Sequence, residues 1–187
     1  MISRNSSLPE IKQVVKECLN QFYSTDGSIL QRNKGNGVSE RTIVFRFAHY
    51  LQNAISDFFV DCDFNSSFEG YIDLQGQIRG EERQGKPIEN EDRTITKRFI
   101  DIIVHKRDYN SFQNDFICFE MKKWNNTNKN EFKKDRNNLR VLTSQYGYVY
   151  GFHLSVHKIR LQAKWTIFHD GIPIEENVEV FNDEASN

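Results

Sequence analysis

Apolar side chains at Leu8, Ile11, Val14, Val15, Cys18, Leu19 and Phe22 recur at the three-and-four spacing of an amphipathic helix. A polar, glycine-containing stretch, 25–37, follows. Ile43, Val44, Phe47, Leu51, Ala54, Ile55 and Phe58 then repeat the helical spacing, with Ser39 as N-cap or a start at Val38 or Asn36. Residues 58–65 are short and β-rich. The mostly polar 66–97 has room for a hairpin around 71–78, and a segment of that length inside a compact domain marks a lid or a binding loop. Two runs rich in Ile, Val and Phe, 98–105 and 116–121, read as adjacent strands of a hairpin. A helix is expected over about 130–144, and strands over 148–156 and 159–168, joined through His157 and Lys158. This order predicts a mixed sheet with helices on it, class α/β or α+β.

A chain of 187 residues has room for one ordinary domain with a full core. The expected division is a core over about 37–168, an N-terminal helix and loop over 1–36, and an acidic tail over 169–187. No apolar run reaches the length of a membrane span and the first ten residues lack an apolar signal core, so a cytoplasmic protein without membrane contact is expected. Cys18, Cys62 and Cys118 are odd in number and widely spaced, which points to inert thiols rather than a disulfide framework or a zinc site. The formal net charge of −1 argues against a protein that coats DNA through a general positive field. Charge is nevertheless uneven. Between Lys122 and Arg140 stand seven basic residues against Glu131 and Asp135, whereas 175–187 carries five acids and no base.

Alternation along 98–105 sets Ile100, Ile102 and Val104 on one face and Asp101, Ile103 and His105 on the other. Asp101 is thus an acid in the middle of an apolar strand. In the next strand Phe116, Cys118, Glu120 and Lys122 share a face, so a carboxylate and an ammonium group project side by side at its end. Glu40, three and four residues before Ile43 and Val44, lies at the first turn of the second helix on its inward stripe. Such a set reads either as a structural salt bridge between Lys122 and one carboxylate, or as oxygen ligands converging on a hard divalent cation. Asp61 and Asp63 flank it as sheet-end acids or as solvated strand residues. His105 shares the face of Asp101. His153 and His157, four apart on a strand, would be separated by about 13 Å, too far to share an ion without a turn. The histidines are therefore read as structural. No phosphate-loop, dinucleotide or nucleophile-elbow string occurs.

Asp101, eighteen intervening residues and then Glu120-Met121-Lys122 resemble the D and ExK elements of the PD-(D/E)XK, or restriction-endonuclease-like, nuclease superfamily. The context is similar as well: a helix opening with Glu40-Arg41, the strands Asp61-Cys62-Asp63 and Phe116 to Trp124, and a helix containing Asp135 and Leu139. Two positions depart from the family pattern. Ile100 stands where the family has proline, and Gln145 is followed four residues on by Val149, so the Gln-x-x-x-Tyr element of one branch is absent.

The resemblance implies a restriction-endonuclease-like core, a mixed central sheet flanked by helices. It implies Mg²⁺, with Mn²⁺ as substitute, held by Asp101, Glu120 and the Met121 carbonyl, with Glu40 helping directly or through water. Lys122 would orient or deprotonate the attacking water. The activity implied is phosphodiester hydrolysis, in DNA in preference to RNA, in a prokaryotic or viral setting such as defence or repair. Lys123, Lys133, Lys134 and Arg136 would hold the phosphate backbone. Trp124 stands at a strand end, where it either stacks on a base or packs at the rim. Double-strand cutting would call for a homodimer or a larger complex. The rival expectation is a catalytically silent nucleic-acid- or partner-binding module with the same fold.

Overall fold

A computed structural model describes residues 2–31, 38–64, 70–72, 78–80, 86–89, 95–106, 115–124, 128–157 and 162–181. Helix α1 (Leu8–Gln31) opens on a capping box, Ser7 donating from its backbone N–H to Glu10 Oε2 at 2.7 Å. It runs well past Phe22, where the apolar pattern stops, through part of the stretch expected to be irregular. Tyr23, Asp26 and Leu30 continue the buried stripe, and Asp26 accepts a hydrogen bond from Tyr50 Oη at 2.7 Å. A buried acid with a partner on the next helix hid the last two turns from a hydrophobic reading. Helix α2 (Glu40–Ala54) begins where Ser39 accepts the Thr42 N–H, and buries Ile43, Val44, Phe47, Ala48, Tyr50 and Leu51.

The strands are β1 (Phe59–Phe64), β2 (Gly70–Ile72), β3 (Ile78–Gly80), β4 (Lys86–Glu89), β5 (Ile95–Arg98), β6 (Ile100–His105), β7 (Asp115–Lys123), β8 (Tyr150–Val156), β9 (Gln162–His169) and β10 (Ile172–Val180). Helix α3 (Lys129–Gln145) links β7 to β8. Six strands form one sheet in the order β1-β6-β7-β8-β9-β10, antiparallel except for the parallel pair β7–β8 that α3 connects. The fold is thus α/β with a mixed sheet. The expected hairpin near 71–78 corresponds to the antiparallel pair β2–β3, and β4–β5 forms a second small pair; the intervening residues 73–77 lie outside the described residues. Among the described residues, no helix is long and apolar enough to cross a membrane.

The sheet is covered on both faces. Ile102, Val104, Ile117, Phe119, Phe152 and Leu154 pack with α1 and α2 in the larger core, where Phe119 stacks on Phe152 with centroids 5.1 Å apart. Ile103, Cys118 and Phe168 pack with Leu139, Val141 and Leu142 of α3. The predicted alternation along β6 therefore holds except at Ile100, which joins the α3 side with Ile88. Gly151 lets α3 approach closely, since a Cβ there would lie 3.2 Å from Leu139 and Thr143. Cys18 and Cys118 are buried and Cys62 half-buried, all with free thiols; burial pushes Cys18 and Cys62 up to about 12.

The acidic tail expected from residue 169 onward is corrected by β10. Asp170 and Gly171, with φ of 48° and 75°, form a two-residue turn, and β10 returns along β9. Its acids are paired: Glu175 with Lys12 at 2.6 Å, Glu179 with Lys16 at 2.9 Å and Glu176 with Lys164 at 2.7 Å. The Asp-Gly dipeptide after an apolar strand is the signal that announces this hairpin in the sequence.

Candidate active site

Strands β6 and β7 pair Ile103 with Cys118 and Ile102 with Phe119, and one further step along that register sets Asp101 across from Glu120. The strands begin to part at this step. The Met121 N–H, instead of joining the backbone ladder, donates to Asp101 Oδ2 at 2.7 Å. The two acids assigned to the D and ExK elements therefore stand on adjacent strands, on the α3 face. The row continues from Glu120 by register through His153, Thr166 and Glu176 on β8, β9 and β10, and on β1 Asp63 lies between Cys62 and Phe64, the partners of Ile102 and Ile100. Asp63 has a left-handed backbone, φ 49°, and its carboxylate pairs with Arg41 at 3.0 Å.

Lys122 is 8% exposed and its ammonium group is surrounded by oxygen. It donates to Glu40 Oε1 at 2.9 Å and to the Met121 carbonyl at 3.3 Å, and forms an ion pair with Asp135 Oδ2 at 3.1 Å. The salt bridge foreseen for Lys122 is thus made with Glu40 and Asp135, and not with Asp101 or Glu120. Glu40 accepts the Lys123 N–H on its other oxygen at 3.3 Å, so both of its carboxylate oxygens are engaged with β7. Glu120, 2% exposed, accepts a hydrogen bond from Asn138 Nδ2 at 2.7 Å. Asp135 and Asn138 come from α3, whose start is capped by Asn128 Oδ1 accepting the Asn130 N–H at 3.1 Å.

The electrostatics follow from this arrangement. Burial pushes the Glu120 carboxyl well above the usual range, with the charges of Asp101 and Asp135 adding to it and the Asn138 amide opposing. Burial likewise pushes Asp101 up to about 6, against the Met121 N–H and Lys122. Burial alone would lower Lys122, but Asp135, Glu40 and Asp101 outweigh it and hold the ammonium group above its ordinary value. The result is a protonated lysine committed to two carboxylates beside two other carboxylates whose hydrogen-bond partners, among the described residues, are N–H donors.

No three His, Cys, Asp or Glu side chains among the described residues converge as ligands for one ion. The donor set that fits a hard cation is smaller: Asp101, Glu120 and the Met121 carbonyl. Among the described residues, one oxygen of each acid is engaged by an N–H donor and the other has no such partner. All three are oxygen donors, as Mg²⁺ and Mn²⁺ require, with water completing the shell.

The remaining expected residues are dispersed around this centre. The Lys123 ammonium donates to the Val38 carbonyl just before α2. Lys133 and Lys134 are exposed on α3. Arg136 turns toward β9 and β10, donating to Thr166 Oγ1 at 2.7 Å and lying 3.6 Å from Glu176. Trp124 is half-buried with its ring 5.4 Å from that of His157. His105 binds Asp61 Oδ2 through Nε2 at 2.7 Å. Sequence reasoning missed Asn138 and His153 as neighbours of Glu120. The signal for Asn138 is its place three residues after Asp135 on one helical face; for His153 there is no local signal, because only the β7–β8 register brings it near. Comparison with protein-family models, curated proteins and solved structures found no match to this chain.

Proposed function

We propose that this protein is a Mg²⁺-dependent nuclease that hydrolyses phosphodiester bonds, in DNA in preference to RNA, on a restriction-endonuclease-like core. One observation carries the reading. Asp101 and Glu120 lie on adjacent strands one step beyond the Ile102–Phe119 pair, where the charge of Asp101 acts on Glu120; they are buried or half-buried and without an ion-pair partner among the described residues, while the adjacent Lys122 is paired with Glu40 and Asp135. Two such carboxylates repel, and a purely structural site would use the neighbouring ammonium group to neutralise them.

Asp101, Glu120 and the Met121 carbonyl would hold the cation. A divalent ion bound there supplies a water of lowered pKa and neutralises phosphate charge. Lys122, kept protonated by its acidic neighbours, gives up its long contact to the Met121 carbonyl when that oxygen holds the cation, and the freed N–H orients the attacking water rather than taking a proton. Glu40 holds that ammonium group in register through Oε1 and braces the strand end through Oε2. The exposed ammonium groups of Lys133 and Lys134 meet the phosphate backbone, so substrate affinity falls with salt.

The test is incubation with plasmid, linear and single-stranded DNA and with RNA, in Mg²⁺ or Mn²⁺ against EDTA. Cutting that needs the metal and disappears in Glu120→Ala and Lys122→Ala is the expected result. Tight binding without cutting in every condition would instead identify a silent nucleic-acid-binding module.

A further inference from the structure

We propose that α3 is a positioning element in which Asn138 sets the cation affinity of Glu120 and Asp135 separately sets the placement of the Lys122 ammonium group. The inference rests on the nuclease reading above and extends it to residues outside the D and ExK elements.

The spacing makes the division possible. Residues 120 and 122 lie on one face of β7, about 7 Å apart, while 135 and 138 are neighbours on one helical face at about 5–6 Å. Because α3 runs back against β7 in the crossover, the later strand residue meets the earlier helix residue. Lys122 accordingly meets Asp135 at 3.1 Å and Glu120 meets Asn138 at 2.7 Å.

The chemistry of the two helix residues differs in the way each role needs. An amide orients a carboxylate without cancelling its charge, so Asn138 fixes one oxygen of Glu120 and leaves the anion able to bind a cation. A lysine or arginine at 138 would take the cation's place, and an aspartate would repel Glu120. Asn138 is 2% exposed and its Oδ1 has no hydrogen-bond partner, so within the described residues its amide is held on the polar side by Glu120 alone. His153, the register neighbour of Glu120 on β8, is 4% exposed and its Nε2 likewise has no hydrogen-bond partner among the described residues. The polar side chains behind Glu120 thus add no charge that would neutralise it. Asp135 forms an ion pair with the ammonium group at 3.1 Å and so orients Lys122, while Glu120 takes its hydrogen bond from Asn138.

The experiment measures Mn²⁺ binding by calorimetry on the full chain, freed of metal and without nucleic acid, beside kcat and KM on a DNA substrate. Asn138→Leu is expected to weaken Mn²⁺ binding by about 10–100-fold, the usual effect of removing an outer partner of a ligand. Asp135→Asn, which removes a charge that Glu120 feels only at a distance, is expected to change Mn²⁺ affinity far less than Asn138→Leu does and to lower kcat. Should Asn138→Leu fail to fold, Asn138→Ala, which opens space instead of filling it, carries the same comparison. Wild-type Mn²⁺ affinity in the Asn138 variant overturns the inference while leaving the nuclease reading intact. Equal loss of Mn²⁺ affinity in both variants overturns the division of roles. A wild-type protein that binds no Mn²⁺ overturns the metal site and this inference together.

Discussion

Lys122 and Asp135 form a nearly dry ion pair, Nζ to Oδ2 3.1 Å apart, with side chains 9% and 7% exposed. The pair joins the end of β7 to the first turns of α3, and Glu40 joins α2 to the same ammonium group at 2.9 Å. Three elements therefore meet on one charge.

That convergence predicts a stability effect separate from catalysis. Lys122→Met leaves Asp135 buried without its counter-ion, and breaking a buried pair in this way costs about 3–5 kcal/mol. Glu40, about one-third exposed, relaxes into solvent and adds little. Urea denaturation in EDTA measures the loss. The double variant Lys122→Met with Asp135→Leu should recover much of it, because the orphaned charge is then gone; a single variant as stable as wild type would mean that Asp135 is hydrated.

His153 predicts a pH dependence. Burial first, then the charges of Arg136, Lys122 and Lys164, lower its imidazole from 6.5 to about 4. The folded state thus binds a proton less readily than the unfolded chain. The associated stability is present above pH 6.5 and is lost as pH falls toward 4. Chemical denaturation of wild type and His153→Gln across this window should show their difference in stability shrinking as pH falls, by on the order of 3 kcal/mol at most. Asp101 titrates in the same window with the opposite sign, being raised. It is common to both proteins and cancels in the difference. Parallel pH profiles for the two proteins would sink the assignment.

Gly151 couples fold to site. A Cβ there meets Leu139 Cβ, Leu139 Cδ2 and Thr143 Cγ2, each at 3.2 Å, so Gly151→Val must push α3 away from β8. Overpacking of this kind costs about 1–3 kcal/mol. Thermal melting should show Gly151→Ala losing less than Gly151→Val, and Mn²⁺ affinity should fall with stability, since Leu139 is next to Asn138 on the displaced helix. Unchanged Mn²⁺ affinity in a destabilised Gly151→Val would show that the C-terminal part of α3 swings outward while Asn138 stays in contact.

Much of the architecture was legible because it is written in local periodicity. Ile43, Val44, Phe47 and Leu51 announce α2, and the runs around Ile102 and Phe119 announce β6 and β7, because burying one face imposes a period on the residues that line it. Where burial involved a polar group the pattern failed. Asp26 carries α1 onward through its bond to Tyr50, and the glutamates of β10 pair with Lys12, Lys16 and Lys164, which turned an apparent acidic tail into a strand.

The sequence by itself determined the chemical types at the candidate site: Asp101 and Glu120 on inward strand positions, Lys122 two residues on, and Glu40 opening α2. Strand alternation and helix capping act within a few residues, so these assignments needed no distant partner. Only the tertiary structure decided which charges neutralise which. The β6–β7 register brings Asp101 and Glu120 to the same end of adjacent strands, and the crossover through α3 brings Asp135 to Lys122 and Asn138 to Glu120. Register and crossover are chosen by packing across the whole sheet, where a one-residue slip would turn every side chain to the other face. That choice leaves two carboxylates on adjacent strands with no ammonium group or guanidinium paired to either among the described residues.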